Sequence, residues 1–306
     1  MRRMLAALFL FSLISVFAQA DQIAYLNYGK LWVYESGKSR LVSEQTQYLD
    51  VKWYKKSKVA VVRAGNIELV DTTNAKTEKL TSIGNIRNIL VLPDKNRILF
   101  ARIVGQDSKA FLEGFDIHYY DLYSIVLDNK KISRIGRIAR ACKIENMFVV
   151  GSDVYYLMTV GDGDGYQDIR KISLTNVKQK EIYQTDRSLI SEICSICPDK
   201  SGKQLVMLAM KITAGDATPR AVWNLFVATI DPQKPKPKPA ILCRLDPSPF
   251  QSYSEVVDGS CILSDGSLVF GVRSSEGGCK LFRFSFESGK IIQIADGYRP
   301  DAISEQ

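Results

Sequence analysis

One unit of sequence recurs along this chain, and it is clearest near the C-terminal end, between Cys261 and Gly297. An apolar inner strand runs into a Ser264-Asp265-Gly266 turn, and a second strand covers Ser267–Val272. A turn at Ser274–Gly278 leads to a third strand, Lys280–Phe286. A Glu287-Ser288-Gly289 turn then leads to a fourth, Lys290–Ala295. In the third strand Leu281, Arg283 and Ser285 alternate with Phe282, Phe284 and Phe286, the period of two that a pleated strand imposes. Short β-branched and aromatic runs broken by Gly, Asp and Ser turns form a meander. Its recurrence constrains the fold more than any motif does.

The first unit has three strands, Gln22–Asn27, Lys30–Tyr34 and Ser39–Ser43, and lacks an inner strand. Unit two takes Tyr48–Trp53, Lys58–Arg63, Asn66–Val70 and Lys76–Thr81. Unit three takes Ile86–Leu92, Arg97–Ile103, a long insertion at Val104–Tyr120, then Asp121–Leu127 and Lys131–Gly136. Unit four takes Lys143–Val150, Asp153–Val160, Asp168–Leu174 and Lys178–Gln184. Unit five takes Ile190–Cys197, Gln204–Ile212, Val222–Ile230 and Ala240–Leu245. The third strands align at Leu31, Ile67, Leu122, Ile169, Leu225 and Leu281. Spacings of about 36 to 56 residues are those of four-stranded propeller blades. The tail Tyr298–Ser304 repeats the start of an inner strand, the one strand that the first unit is missing. The expected fold is therefore all-β: a six-bladed β-propeller of four-stranded antiparallel blades, closed by the C-terminal tail with Ile303 facing the neighbouring blade. A β-sandwich or β-helix accounts less well for regular four-strand units.

Residues 1–20 stand outside this pattern. A basic start, Arg2-Arg3, precedes an uncharged apolar run, Leu5–Phe17, and Ala18-Gln19-Ala20 has the small residues of a signal-peptidase site. The expectation is a cleaved signal peptide at 1–20, a single propeller domain at 21–306, a periplasmic or secreted location and no transmembrane segment after cleavage. Removing Arg2 and Arg3 lowers the formal charge from +8 to about +6. Lys and Arg read as scattered among acids, which argues against nucleic acid as a partner.

At Leu92-Pro-Asp-Lys-Asn-Arg-Ile-Leu-Phe-Ala-Arg102, followed by Asp121-Leu-Tyr-Ser-Ile-Val-Leu127, the repeat resembles the TolB-type, WD40-like "PD" propeller repeat. Pro198-Asp199-Lys200, Ser264-Asp265-Gly266 and Trp223-Asn224-Leu225-Phe226 echo it, whereas units two and four lack the Pro-Asp turn. The resemblance spans nearly all of the chain after residue 20. It implies a periplasmic six-bladed propeller that binds protein partners, as TolB does with a peptidoglycan-associated lipoprotein. TolB also has an N-terminal α/β domain. The first blade here is expected to begin almost at Asp21, which leaves no room for one.

Several residues invite a functional reading. Asp162, Asp164 and Asp168 place carboxylates close together, as a calcium loop would, but an EF-hand requires Glu where Ser173 stands. A Gly-rich hairpin turn is the expectation, with no metal and no cofactor. His118 is the only histidine, which excludes chemistry that needs two. No Gly-x-Ser-x-Gly elbow marks an α/β-hydrolase. Cys142, Cys194, Cys197, Cys243, Cys261 and Cys279 allow up to three disulfides in an exported protein, or buried thiols. The Cys194-x-x-Cys197 pair lies in a strand, where no helix N-terminus activates a thiol.

The extended Lys-Pro arm carries Lys234, Lys236 and Lys238, and the insertion carries Phe111, Phe115, Tyr119 and Tyr120. These are the candidate contacts for a protein or peptide of the cell envelope. The leading function is thus a non-enzymatic, exported binding propeller. The alternative is a propeller hydrolase or lactonase using channel-lining carboxylates, for which Glu145, Glu192 and Glu255 on inner strands are the candidates.

Overall fold

The computed structural model describes residues 21–107, 116–160, 166–185, 190–211, 225–246, 248–250, 253–274 and 278–303. Their strands form six four-stranded antiparallel sheets. Blade one holds β1 (Gln22–Asn27), β2 (Lys30–Glu35) and β3 (Lys38–Ser43). Blade two holds β4 (Tyr48–Lys55), β5 (Lys58–Arg63), β6 (Asn66–Asp71) and β7 (Thr77–Lys79). Blade three holds β8 (Ile86–Leu92), β9 (Arg97–Gln106), β10 (His118–Val126) and β11 (Lys131–Ala141). Blade four holds β12 (Lys143–Val150), β13 (Asp153–Val160), β14 (Tyr166–Ser173) and β15 (Gln179–Gln184). Blade five holds β16 (Glu192–Pro198), β17 (Leu205–Met210), β18 (Leu225–Ile230) and β19 (Ala240–Arg244). Blade six holds β20 (Tyr253–Ile262), β21 (Leu268–Ser274), β22 (Cys279–Phe284) and β23 (Ile291–Asp296). The last strand, β24 (Tyr298–Ile303), pairs with β1 and completes blade one, as expected from the tail.

Strand alternation explains why six blades stack into a ring. On β1, Ala24 and Leu26 pack towards blade two, while Ile23 and Tyr25 pack towards blade six. Successive side chains of a strand point to opposite faces, so each blade contributes to two apolar layers. The buried residues accordingly form six clusters, each wedged between two adjacent blades. A strand covered on both faces reads as continuous apolar sequence, and β5 (KVAVVR) is buried from Val59 to Val62. Ile303 packs in the layer between blades one and two. The turns are tight: Ala64-Gly65 links β5 to β6 with φ of 47° and 74°, the doubly left-handed backbone of a type I′ hairpin. A Cβ on Gly65 would also lie only 2.8 Å from the Asn85 nitrogen.

Blade three departs from the expected boundaries. Strand β9 continues to Gln106 and β10 begins at His118, so the insertion is shorter than Val104–Tyr120. Its flanks are paired in register, Tyr119 with Gly105 and His118 with Gln106. The strands lengthen here because pairing resumes beyond a bulge at Tyr119/Tyr120, past the apolar run that marks them in sequence. Strand β11 likewise continues from Gly136 to Ala141.

Candidate functional site

All six inner strands repeat one irregularity. Each slips register against the second strand of its blade: at Tyr48/Asp50, Ile86/Asn88, Glu145/Phe148, Ile193/Ser195, Val257/Ser260 and, on β24, opposite Ala24/Leu26. A bulge re-aims the side chains around it, and here it turns polar groups towards the axis. Asp50, Asn88, Asn146, Ser260 and Arg299 line a central cavity of about 420 Å³, together with Lys52, Glu145, Cys197 and Asp301. Gly259, on the cavity wall, packs closely against β24. With φ at 95°, a Cβ there would lie 2.9 Å from the Arg299 Cα.

The axis is held together by hydrogen bonds between blades. Asp50 Oδ2 accepts the backbone N–H of Ile89 at 2.9 Å, and Oδ1 accepts that of Val51 at 3.0 Å. Asp301 Oδ2 accepts the Trp53 N–H at 2.7 Å, and Oδ1 accepts from Lys52 Nζ at 3.2 Å. The indole Nε1 of Trp53 donates to the Asp301 carbonyl at 3.0 Å. Ser195 Oγ donates to Asn146 Oδ1 at 2.9 Å and lies 2.6 Å from Ser260 Oγ. Two buried atoms facing this layer, Asn88 Oδ1 and Asn146 Nδ2, find no hydrogen-bond partner among the described groups. At the mouth formed by the ends of the inner strands, Lys200 Nζ donates to the Ser264 carbonyl at 2.5 Å. Asp21 Oδ2 accepts from Ser264 N and Oγ at 3.0 and 2.8 Å.

Burial and charge pull against each other along the cavity. Burial raises the Asp50 carboxyl above its ordinary pKa, opposed by Lys52, Arg299 and two backbone donors. Burial alone would lower the Lys52 ammonium, but Asp301 and Asp50 outweigh it and hold its pKa up. The Cys197 thiol is pushed up to about 11 by burial, and Cys261 is also raised by burial, with Asp301 adding to it. These thiols are protonated at neutral pH. None of the six cysteines is in a disulfide; Cys194, Cys197 and Cys261 are buried thiols, whereas Cys142, Cys243 and Cys279 are partly exposed. The Cys194-x-x-Cys197 pair does lie in a strand, and both residues pack against blade six.

The expected site residues scatter. Glu145 is buried on the cavity wall and pairs with Lys143. Glu192 does not line the cavity. The side chain of Glu255 lies outside the described residues, as do Phe111, Phe115, Asp162 and Asp164. Asp168 is fully buried and held by Arg170, with Nη2 donating at 2.9 Å. Tyr120 needs correction as a contact residue. It is 3% exposed, donates through its hydroxyl to the Cys142 carbonyl and belongs to the layer between blades three and four. A tyrosine next to an insertion reads as a surface aromatic, but the period of two turns this one inwards. Tyr119 remains partly exposed, and Lys234, Lys236 and Lys238 are exposed. Among the described residues no three His, Cys, Asp or Glu side chains are grouped to hold a metal ion, and no helix is long and apolar enough to cross a membrane.

Asp50 and Asp301, the acids that organise the axis, escaped the sequence reading. Asp50 stood within an expected inner strand and Asp301 within the expected closing strand, so the position was visible although the hydrogen bonds were not.

No protein-family model matches the sequence, and no curated protein matches it significantly. Solved structures do. TolB from Acinetobacter baumannii superposes with a TM-score of 0.66 at 15% identity, over 94% of this chain and 67% of that one. The fold is that of the TolB-type propeller. An oligogalacturonate lyase in complex with manganese also matches, with a TM-score of 0.53 at 12% identity over 87% of this chain and 70% of the other. A puromycin hydrolase matches with a TM-score of 0.55 at 10% identity over 91% of this chain, which spans 52% of the hydrolase. At such identities the likeness is one of fold, and TolB-like propellers share it with enzymes.

Proposed function

We propose that this TolB-like propeller is an exported, non-enzymatic protein of the cell envelope that binds a protein or peptide partner on one face of its ring. The observation that carries this reading is the use made of the axial acids. Asp50 and Asp301 are each committed to backbone N–H groups of the next inner strand, so they frame the ring instead of facing one another across a reaction centre. What remains available is surface. The mouth at Asp21, Asp199, Lys200 and Ser264 mixes both charges, and Tyr119 and the Lys234–Lys238 arm add exposed contacts elsewhere. Phe111 and Phe115 stay candidates on sequence grounds.

A propeller hydrolase or lactonase is the second reading, and Glu145 favours it as a buried carboxyl on the cavity wall. The deciding experiment combines affinity capture from the native envelope with a hydrolase and lactonase substrate screen. A defined protein captured at stoichiometry, without turnover, supports the binder. Turnover lost in Glu145→Gln establishes the enzyme. Export is tested separately: N-terminal sequencing of protein recovered from outside the cytoplasm should begin at Asp21.

A further inference from the structure

One stretch contradicts the impression of scattered charge. Lys130, Lys131, Arg134, Arg137, Arg140 and Lys143 follow one another with no acid between them. Most of this run is β11, the outermost strand of blade three, on the rim of the ring. A spacing of three would send the arginines alternately to opposite faces of a regular strand. Two bulges prevent it. The register between β10 and β11 slips at Tyr120/Asp121 and again at Leu122/Tyr123. Arg140, Arg137 and Arg134 therefore stand opposite Tyr119, Asp121 and Tyr123, which are alternate residues on one face of β10.

The three guanidinium groups are anchored from beneath. Asp121 accepts from Arg134 Nε at 2.6 Å and also from Arg137 Nε, while Asp107 accepts from Arg140 Nε at 2.6 Å. The Arg137 guanidinium lies 5.0 Å over the Tyr119 ring. The carboxyl of Asp121 is 5% exposed, yet the three arginine side chains stay 54, 47 and 51% exposed. The geometry is a strip of pre-positioned forks held through Nε, with three cations over two carboxylates.

We infer that this strip docks an acidic segment of a protein partner in extended conformation, with carboxylates at alternate positions. The inference rests on the protein-binding reading above and names a surface and a ligand chemistry for it. Alternate side chains on a strand recur at about 6.6 to 6.8 Å, and an extended peptide repeats its own alternate side chains at the same distance. Three acids spaced by two residues thus meet three arginines in register. Guanidinium forks suit carboxylates, and forks already fixed by Asp121 and Asp107 lose little freedom on binding. Recognition runs through side chains and not through strand addition. Two bulges spoil the edge ladder, and the Arg137 carbonyl already accepts from Gln179 Nε2 of blade four at 2.5 Å.

Fluorescence polarisation on the full chain tests this with two labelled peptides of one composition. In one, glutamates alternate with serine or threonine; in the other, the glutamates are contiguous. Heparin serves as a polyanion without that spacing. The alternating peptide should bind about fivefold or more tightly than its isomer, and weaken as salt rises from about 50 to about 300 mM. Arg134→Gln/Arg137→Gln/Arg140→Gln should cost about tenfold or more. That variant strips Asp121 of its partners, so Arg140→Glu, which leaves both Asp121 ion pairs in place, is the control for folding. It should weaken the alternating peptide several-fold at an unchanged far-UV spectrum. Equal binding of the two isomers, preference for heparin over the alternating peptide, or wild-type affinity in Arg140→Glu overturns the inference. An envelope protein captured equally well by wild type and Arg140→Glu removes this strip but keeps the broader binding role. Turnover without any partner does the reverse to the role and leaves peptide docking to stand on its own data.

Discussion

Asp301, in the last strand of the chain, accepts the backbone N–H of Trp53 at 2.7 Å through Oδ2, although 248 residues separate them. The same carboxylate takes Lys52 Nζ, and its own carbonyl takes the Trp53 indole. Strand β24 is thus fixed on both sides, by its ladder to β1 within blade one and by Asp301 to the inner strand of blade two. The seam between the two ends of the chain is closed by hydrogen bonds as well as by apolar packing.

Truncation after Gly297 should therefore lower the melting temperature of the whole molecule. Each ladder hydrogen bond contributes only about 1 kcal/mol net. Several are lost together with the packing of Ile303 and the open edge of β1 is exposed, against a typical total stability of about 5–15 kcal/mol. Calorimetry on the truncated protein checks this, and an unchanged single transition would show that the ring does not depend on the tail.

Asp301→Ala isolates the inter-blade bond. It leaves the Trp53 N–H without its acceptor and Lys52 without its nearest carboxylate, a loss of about 1–3 kcal/mol. Chemical denaturation should show a lower midpoint with an unchanged slope, and Asp301→Asn should recover part of the difference.

Gly259→Ala tests the close approach of β20 to β24. A left-handed φ of 95° is strained for any residue with a Cβ, and here that atom would press on the backbone of Arg299. The variant should lose about 1–3 kcal/mol. A neutral outcome by thermal denaturation would mean that β20 and β24 separate readily.

Acid stability should reveal the Asp121 pair. Burial raises its carboxyl, but hydrogen bonds and charge from Arg134 and Arg137 win and hold the pKa below the usual carboxylate range. A depressed native pKa adds stability above the unfolded value of about 3.9, which is lost as pH falls through the native value. Asp121→Asn should flatten the stability profile below about pH 4 while lowering the plateau at neutral pH.

Thiol labelling gives a check on the interior. With Cys197 at about 11 and Cys261 also raised by burial, the thiolate is scarce at pH 8 and water has little access. Both should resist alkylation in the native protein and react on denaturation, as mass spectrometry of peptides would show. Rapid native labelling of Cys197 would place it in open solvent.

The blades themselves were legible from residues alone. Short apolar runs between Gly, Asp and Ser turns carry a local signal, because period and turn chemistry act within a few residues. Even the closure was legible: one unit lacked a strand and the tail supplied one. The boundaries of blade three were not, since the pairing of His118 and Tyr119 with β9 extends past the apolar pattern. Nor was the inward face of Tyr120, which depends on register and not on residue type.

Sequence by itself determined the number of units, their antiparallel order and the completion of the first by the last, because repeats and alternation are properties of the chain. Only the tertiary structure decided what the polar residues do. Bulges in six inner strands bring Asp50, Asn88, Asn146, Ser195, Ser260 and Arg299 into one layer, although they are spread from one end of the chain to the other. Two more bulges turn arginines spaced by three onto one face of β11. A one-residue shift, as on five of the six inner strands, exchanges the faces of everything beyond it, and on β20 the shift at Val257/Ser260 is two residues. That choice is settled by packing against neighbouring strands, where no local pattern can state it.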